Sequence, residues 1–126
     1  MKIASLIARL LLGLVFLVFG LNGFLQFIHM PPPTGAAAQF LAAVVATPYW
    51  TIIFGVQVIG GVLLLVGRFV PLALVILGPV IVNILSFHAF MAPAGLPLAL
   101  IVTALWVVVA IRNKQHLAGL FVAKSE

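Results

Sequence analysis

The sequence predicts an all-α polytopic membrane protein: a four-helix bundle with a short outer interfacial or re-entrant helix between the first and second spans. Three observations carry this. Of the 126 residues, 66% are hydrophobic and only 6% charged, a balance that soluble domains of this size do not approach. Four apolar runs have about the length, roughly 20 residues, that a helix needs to cross a hydrocarbon core of about 30 Å. All six Lys and Arg residues fall at one side of the spans those runs define.

The first span is read from about Leu10 to Ile28, stopping before His29-Met30-Pro31-Pro32-Pro33, because consecutive prolines cannot continue a helix. The others are read at about 48–67, 71–90 and 97–111. Each of these three starts on a proline, where a missing N–H costs nothing in the first turn. Between the first two, residues 35–46 suit a helix too short to span, with Phe40, Leu41, Val44 and Val45 on one face. The connection Gly67-Arg68-Phe69-Val70 is short enough to make the second and third spans antiparallel neighbours. Residues 113–126 form an amphipathic tail, with Leu117, Leu120 and Phe121 on one face. The whole chain, 1–126, reads as one transmembrane domain. Met1-Lys2 and Arg9 before an apolar run, with Ala36-Ala37-Ala38 downstream, resemble a cleaved leader, but the run is longer than a leader's and the first span is expected to be retained.

Lys2, Arg9, Arg68, Arg112, Lys114 and Lys124 flank one set of span ends, and the loops at 29–47 and 91–96 carry no Lys or Arg. The positive-inside rule therefore puts both termini in the cytoplasm. The net charge of +5 is a topology signal and a means of lipid headgroup contact, not a nucleic-acid surface.

Polar side chains inside spans are costly unless they face the bundle interior or a cavity, so function is sought there. Asn22, Gln26 and His29 recur at i, i+4, i+7, one stripe of a continuous helix. Gln57 lies in the second span, Asn83 and His88 in the third, and antiparallel packing puts all six in the outer half of the membrane. The functional reading is an outward-facing pocket for a quinone headgroup or another small polar ligand, with Tyr49 and Trp50 near its rim. The structural reading is that the amides bond neighbouring helices and the aromatic pair anchors the interface. A bis-histidine haem through His29 and His88 is disfavoured: His88 lies about 140° around the helix from Asn83, and histidines beside prolines are usually solvated. His116 reads as a surface residue.

The chain has no cysteine, which excludes thiol redox relays, iron–sulfur clusters and zinc–thiolate sites. It has one acidic residue, Glu126, and neither a nucleotide-binding loop nor a nucleophile–base pair. No metal set and no catalytic set emerges, and the chain is not expected to be an enzyme on its own. Gly13, Gly20 and Gly23 in the first span, and Gly55, Gly60 and Gly61 in the second, are placed to let helix backbones approach. Gly78-Pro79 is expected to kink the third span.

Arg9-Leu10-Leu11-Leu12-Gly13 with Phe16, Gly20 and Asn22-Gly23, followed by the run from Gln57 through Gly60-Gly61 to Gly67, resembles the DoxX family of small four-span membrane proteins. The run from Pro79 to His88, with Asn83 inside it, is similar to a subgroup of that family, and the likeness extends from about Ala4 to Arg112. The resemblance implies a bacterial or archaeal subunit of the plasma (inner) membrane, linked in some members to quinone-dependent sulfur oxidation or redox-stress complexes. Many members carry Glu where this chain has Gln57, and an amide does not exchange protons at physiological pH. The expectation is thus a non-catalytic subunit or anchor of a quinone-linked or redox-stress oxidoreductase complex, with the bilayer and a redox complex or a homo-oligomer as partners. The alternative is an oligomeric small-molecule transporter or channel, or a membrane scaffold. Transport is weakened because no acid lies within a span and because the charge bias argues against dual topology.

Overall fold

The structure, a computed structural model, describes residues 2–29 and 32–124. Met30 and Pro31 of the proline-rich stop, and the acidic Glu126, lie outside the described residues. The described chain is helical throughout: α1 (Lys2–Leu25), α2 (Gly35–Val45), α3 (Tyr49–Val66), α4 (Val70–Phe90), α5 (Leu96–Arg112) and α6 (Lys114–Leu117), with short 3-10 turns at Pro93–Gly95 and Ala118–Phe121. Four of these, α1, α3, α4 and the stretch Pro93–Arg112 that contains α5, are long and apolar enough to cross a membrane.

The four long helices close into a ring in which α1 and α4 each pack against both α3 and α5. The α1–α3 pairing is the tightest, and glycine is the reason. A Cβ on Gly61 would come within 2.6 Å of the Leu17 nitrogen and 2.8 Å of the Gly13 carbonyl oxygen, both backbone atoms. Gly20 similarly faces the Val58 nitrogen, and Gly23 faces the Phe54 ring. The pairs 13 with 61, 20 with 58 and 23 with 54 run in opposite senses, so the two helices are antiparallel and their backbones touch. Such contact drives association where lipid removes any hydrophobic force between helices.

The buried apolar cluster comprises Ala8, Leu12 and Phe16 of α1, Leu64 of α3, Val70 to Ile81 of α4, and Val102 and Val109 of α5. The cluster runs from the end of the bundle where α1 and α4 begin and α3 and α5 finish to beyond its middle, at Phe16, Ile81 and Val102. The end where α1 and α4 begin also carries the basic residues, and is called the basic end below. Outward-facing apolar side chains such as Ile52, Ile59, Leu72, Val82, Leu100 and Ile101 are exposed, an apolar surface of the extent expected for contact with acyl chains rather than water.

Several local features depart from the sequence reading. The first span begins at Lys2 rather than near Leu10 and ends at Leu25 rather than Ile28, so Arg9 lies about 10 Å along the helix instead of flanking it. The guanidinium is accommodated because Nη1 donates to the Leu64 carbonyl at 2.5 Å. That carbonyl belongs to the last turn of α3, where orphan acceptors and the negative end of the helix dipole favour a cation. In the same turn the Gly67 and Arg68 N–H groups both donate to Leu63, with Gly67 at φ 71°, a conformation glycine adopts without strain. Pro71 and Pro97 occupy first turns as expected, whereas Pro48 precedes α3 as its cap.

In α4 the helix continues through Pro79. One turn earlier, the Leu74 carbonyl accepts the Trp106 Nε1–H at 3.0 Å, which satisfies the one polar group of a large side chain that otherwise packs on the core. In α2 the buried positions are Ala37 and Val44, while Leu41 and Val45 are exposed and Phe40 meets Phe87 of α4 at 5.5 Å between ring centroids. The expected single apolar face is therefore divided between the bundle and the surroundings. In the tail, Leu117 packs against the core and Leu120 and Phe121 are exposed.

Candidate functional site

The end of α1, the end of α2 and the start of α3 border a half-open cavity of about 400 Å³ lined by Asn22, Gly23, Gln26, Val45, Trp50 and Phe54. It is built by the way α1 stops. The Gln26 N–H closes the last turn on the Asn22 carbonyl at 2.8 Å, and Gln26 turns into the left-handed region at φ 52°. Asn22 Oδ1 then accepts the Ile28 N–H at 2.7 Å. Asn tolerates this role because its short amide reaches backbone groups that the helix no longer serves. With Oδ1 engaged, the donor half of the Asn22 amide is what remains for a guest.

The opposite wall is aromatic. Trp50 lies 5.4 Å from Phe24 and 6.5 Å from Phe54 between ring centroids, both pairs tilted. Gly23 has no side chain because Phe54 occupies the place its Cβ would take. The lining thus combines two amides and two aromatic rings, with no charged side chain. Its chemistry suits a neutral flat guest with carbonyl or hydroxyl edges, and its volume lies in the range of small-molecule pockets.

Of the six residues singled out from sequence, Asn22 and Gln26 meet at this cavity and four do not line it. The single helical stripe Asn22, Gln26, His29 does not form, because α1 ends at Leu25 and His29 is exposed beyond the turn. Gln57 is 7% exposed and packs against Gly20 between α1 and α3. Asn83 faces outward on α4. His88 places Nδ1 3.1 Å from the Ala92 carbonyl oxygen, stands edge-on to Phe87 and fills the space above Gly95, so it holds the turn leading into α5. Of the expected rim pair, Trp50 lines the cavity and Tyr49 is 60% exposed outside it. Phe54 was not anticipated; its spacing one turn after Trp50, opposite Gly23, was the available signal.

An α-helical bundle with four membrane-length apolar helices and an uncharged cavity within it defines a small integral, multi-pass membrane protein. The DoxX family model matches residues 4–89, and the chain belongs to the DoxX family. The match covers α1 to α4 and stops before α5, short of the likeness read to Arg112. No curated protein and no solved structure matches the chain.

Proposed function

We propose that this DoxX-family protein is a non-catalytic membrane subunit that holds a neutral, polar-headed ligand of the quinone class in the Asn22–Trp50 cavity, as anchor or docking partner of an oxidoreductase complex. The observation that carries the reading is the cavity itself: amide donors on one wall, aromatic rings on the other and no charge. A quinone, when bound, supplies two-electron redox chemistry. The chain would supply placement, with the Asn22 and Gln26 amides available to carbonyl edges and Trp50 and Phe54 to an aromatic ring. A holding role rather than passage is favoured by Leu12, Phe16, Leu64, Leu74 and Leu77, each no more than 2% exposed, which fill the bundle between this cavity and the basic end. A thermal-shift titration with a short-chain quinone tests the reading. The midpoint is expected to rise for the wild type and to stay level for Asn22→Leu, and a flat response from the wild type contradicts it.

The same reading sets the basic end in the cytoplasm, so that the cavity opens outward, with α2 and the tail lying at the two membrane surfaces. The chain lacks cysteine, so single-cysteine labelling has no background. In intact cells of a prokaryotic host, Thr34→Cys is expected to react with a membrane-impermeant maleimide, and Lys114→Cys only after permeabilisation. The reverse pattern overturns the orientation.

A further inference from the structure

A second cavity, of about 250 Å³, lies at the basic end where α1, the start of α4 and the end of α5 meet. Its lining includes Lys2, Arg9 and Arg112, with Ser5 and Asn113 between them and Leu6, Val70 and Val109 as apolar walls. The sequence spacing explains the convergence. Lys2, Ser5 and Arg9 recur at i, i+3, i+7 on one face of α1, and Val109, Arg112 and Asn113 at i, i+3, i+4 on α5. Among the described residues, no carboxylate lines the cavity. Three cations thus share one concavity, a repulsive arrangement that an anion relieves.

One of the three is held in place for such a guest. Arg9 is fixed by its bond to the Leu64 carbonyl and by packing on Gly67. Arg112 ends α5, and Asn113 beside it is held by its amide donating to the Val109 carbonyl at 2.8 Å. The cavity lies at the ends of the spans, and of its apolar lining Leu6 is exposed.

The geometry points to a binding site for the phosphate of an anionic phospholipid, with Arg9, Arg112 and Lys2 around the phosphate and Leu6 along the glycerol and first methylenes. This site is separate from the quinone-class cavity and does not depend on it. The test is native mass spectrometry of the full chain in mild detergent, titrated with phosphatidylglycerol or phosphatidylcholine. Phosphatidylglycerol is expected to be retained preferentially. Arg112→Gln and Lys2→Gln should each weaken its retention about fivefold, a typical worth of one basic residue at an anionic surface. Both positions are exposed at helix ends, so the variants are expected to fold, and Arg9 is left intact because it also caps α3. Arg68→Gln and Lys124→Gln remove the same charge outside the cavity and should change retention less than about twofold. Equal retention of the two lipids, or equal losses from the cavity and control variants, overturns the site. Binding of inorganic phosphate that depends on Arg112, with no lipid preference, overturns the lipid assignment in favour of a soluble phosphate ester.

Discussion

Replacing Gly61 by alanine is expected to destabilise the bundle by about 3 kcal/mol, the upper end of the usual range for overpacking. The reason is the identity of the atoms in the way. The new methyl group would meet the Leu17 nitrogen at 2.6 Å and the Gly13 carbonyl oxygen at 2.8 Å, and no rotamer change moves a backbone. Relief requires α1 and α3 to separate, which loosens every contact along the bundle's tightest pairing. Gly55 supplies the control, since a Cβ there meets nothing within 4 Å. Gly55→Ala is expected to be neutral or stabilising by up to about 1 kcal/mol from helix propensity alone. Denaturant or thermal unfolding in a fixed detergent compares the two, and equal stability for Gly61→Ala and Gly55→Ala would refute the backbone contact.

The next largest effect is expected at Arg9. Its guanidinium donates to the Leu64 carbonyl, and charge-assisted hydrogen bonds of this kind are worth about 1.5–3 kcal/mol. Arg9→Met keeps the apolar stem of the side chain while removing donor and charge, so a loss of about 2 kcal/mol is expected. Arg9→Lys keeps the charge at the C-terminal end of α3 and should recover part of that loss. If lysine and methionine prove equally damaging, charge at the end of α3 is not what Arg9 supplies.

The spans were legible because apolar length and proline placement answer to one physical demand, that backbone groups in hydrocarbon bond within their own helix. The glycine contact of α1 with α3 was legible in part for the same kind of reason, since small residues recur where helices touch, although Gly55, read with the others, faces open space and Gly60 faces Leu77 of α4. The ends of α1 were not. Arg9 looked like a flanking residue because its partner, the Leu64 carbonyl, lies 55 positions away in sequence. At the other end, hydropathy continues through Phe27 and Ile28, and nothing local announced that Asn22 would bond the Ile28 N–H and let Gln26 turn left-handed. That turn separates His29 from the polar stripe and, with it, creates the cavity wall. Gln57, Asn83 and His88 shared the expected half of the membrane, but depth along a helix says nothing of azimuth. The structure turns Gln57 toward Gly20, Asn83 outward and His88 onto its own turn.

The most direct test of the ligand-holding account is native mass spectrometry of the wild type and Asn22→Leu, purified side by side in mild detergent from their host membranes, with optical absorbance read on the same samples. The account predicts a co-purifying neutral quinone-class molecule on the wild type and its loss from a folded Asn22→Leu variant. A wild-type protein without such a ligand, or one whose ligand is retained equally by the variant, would contradict it.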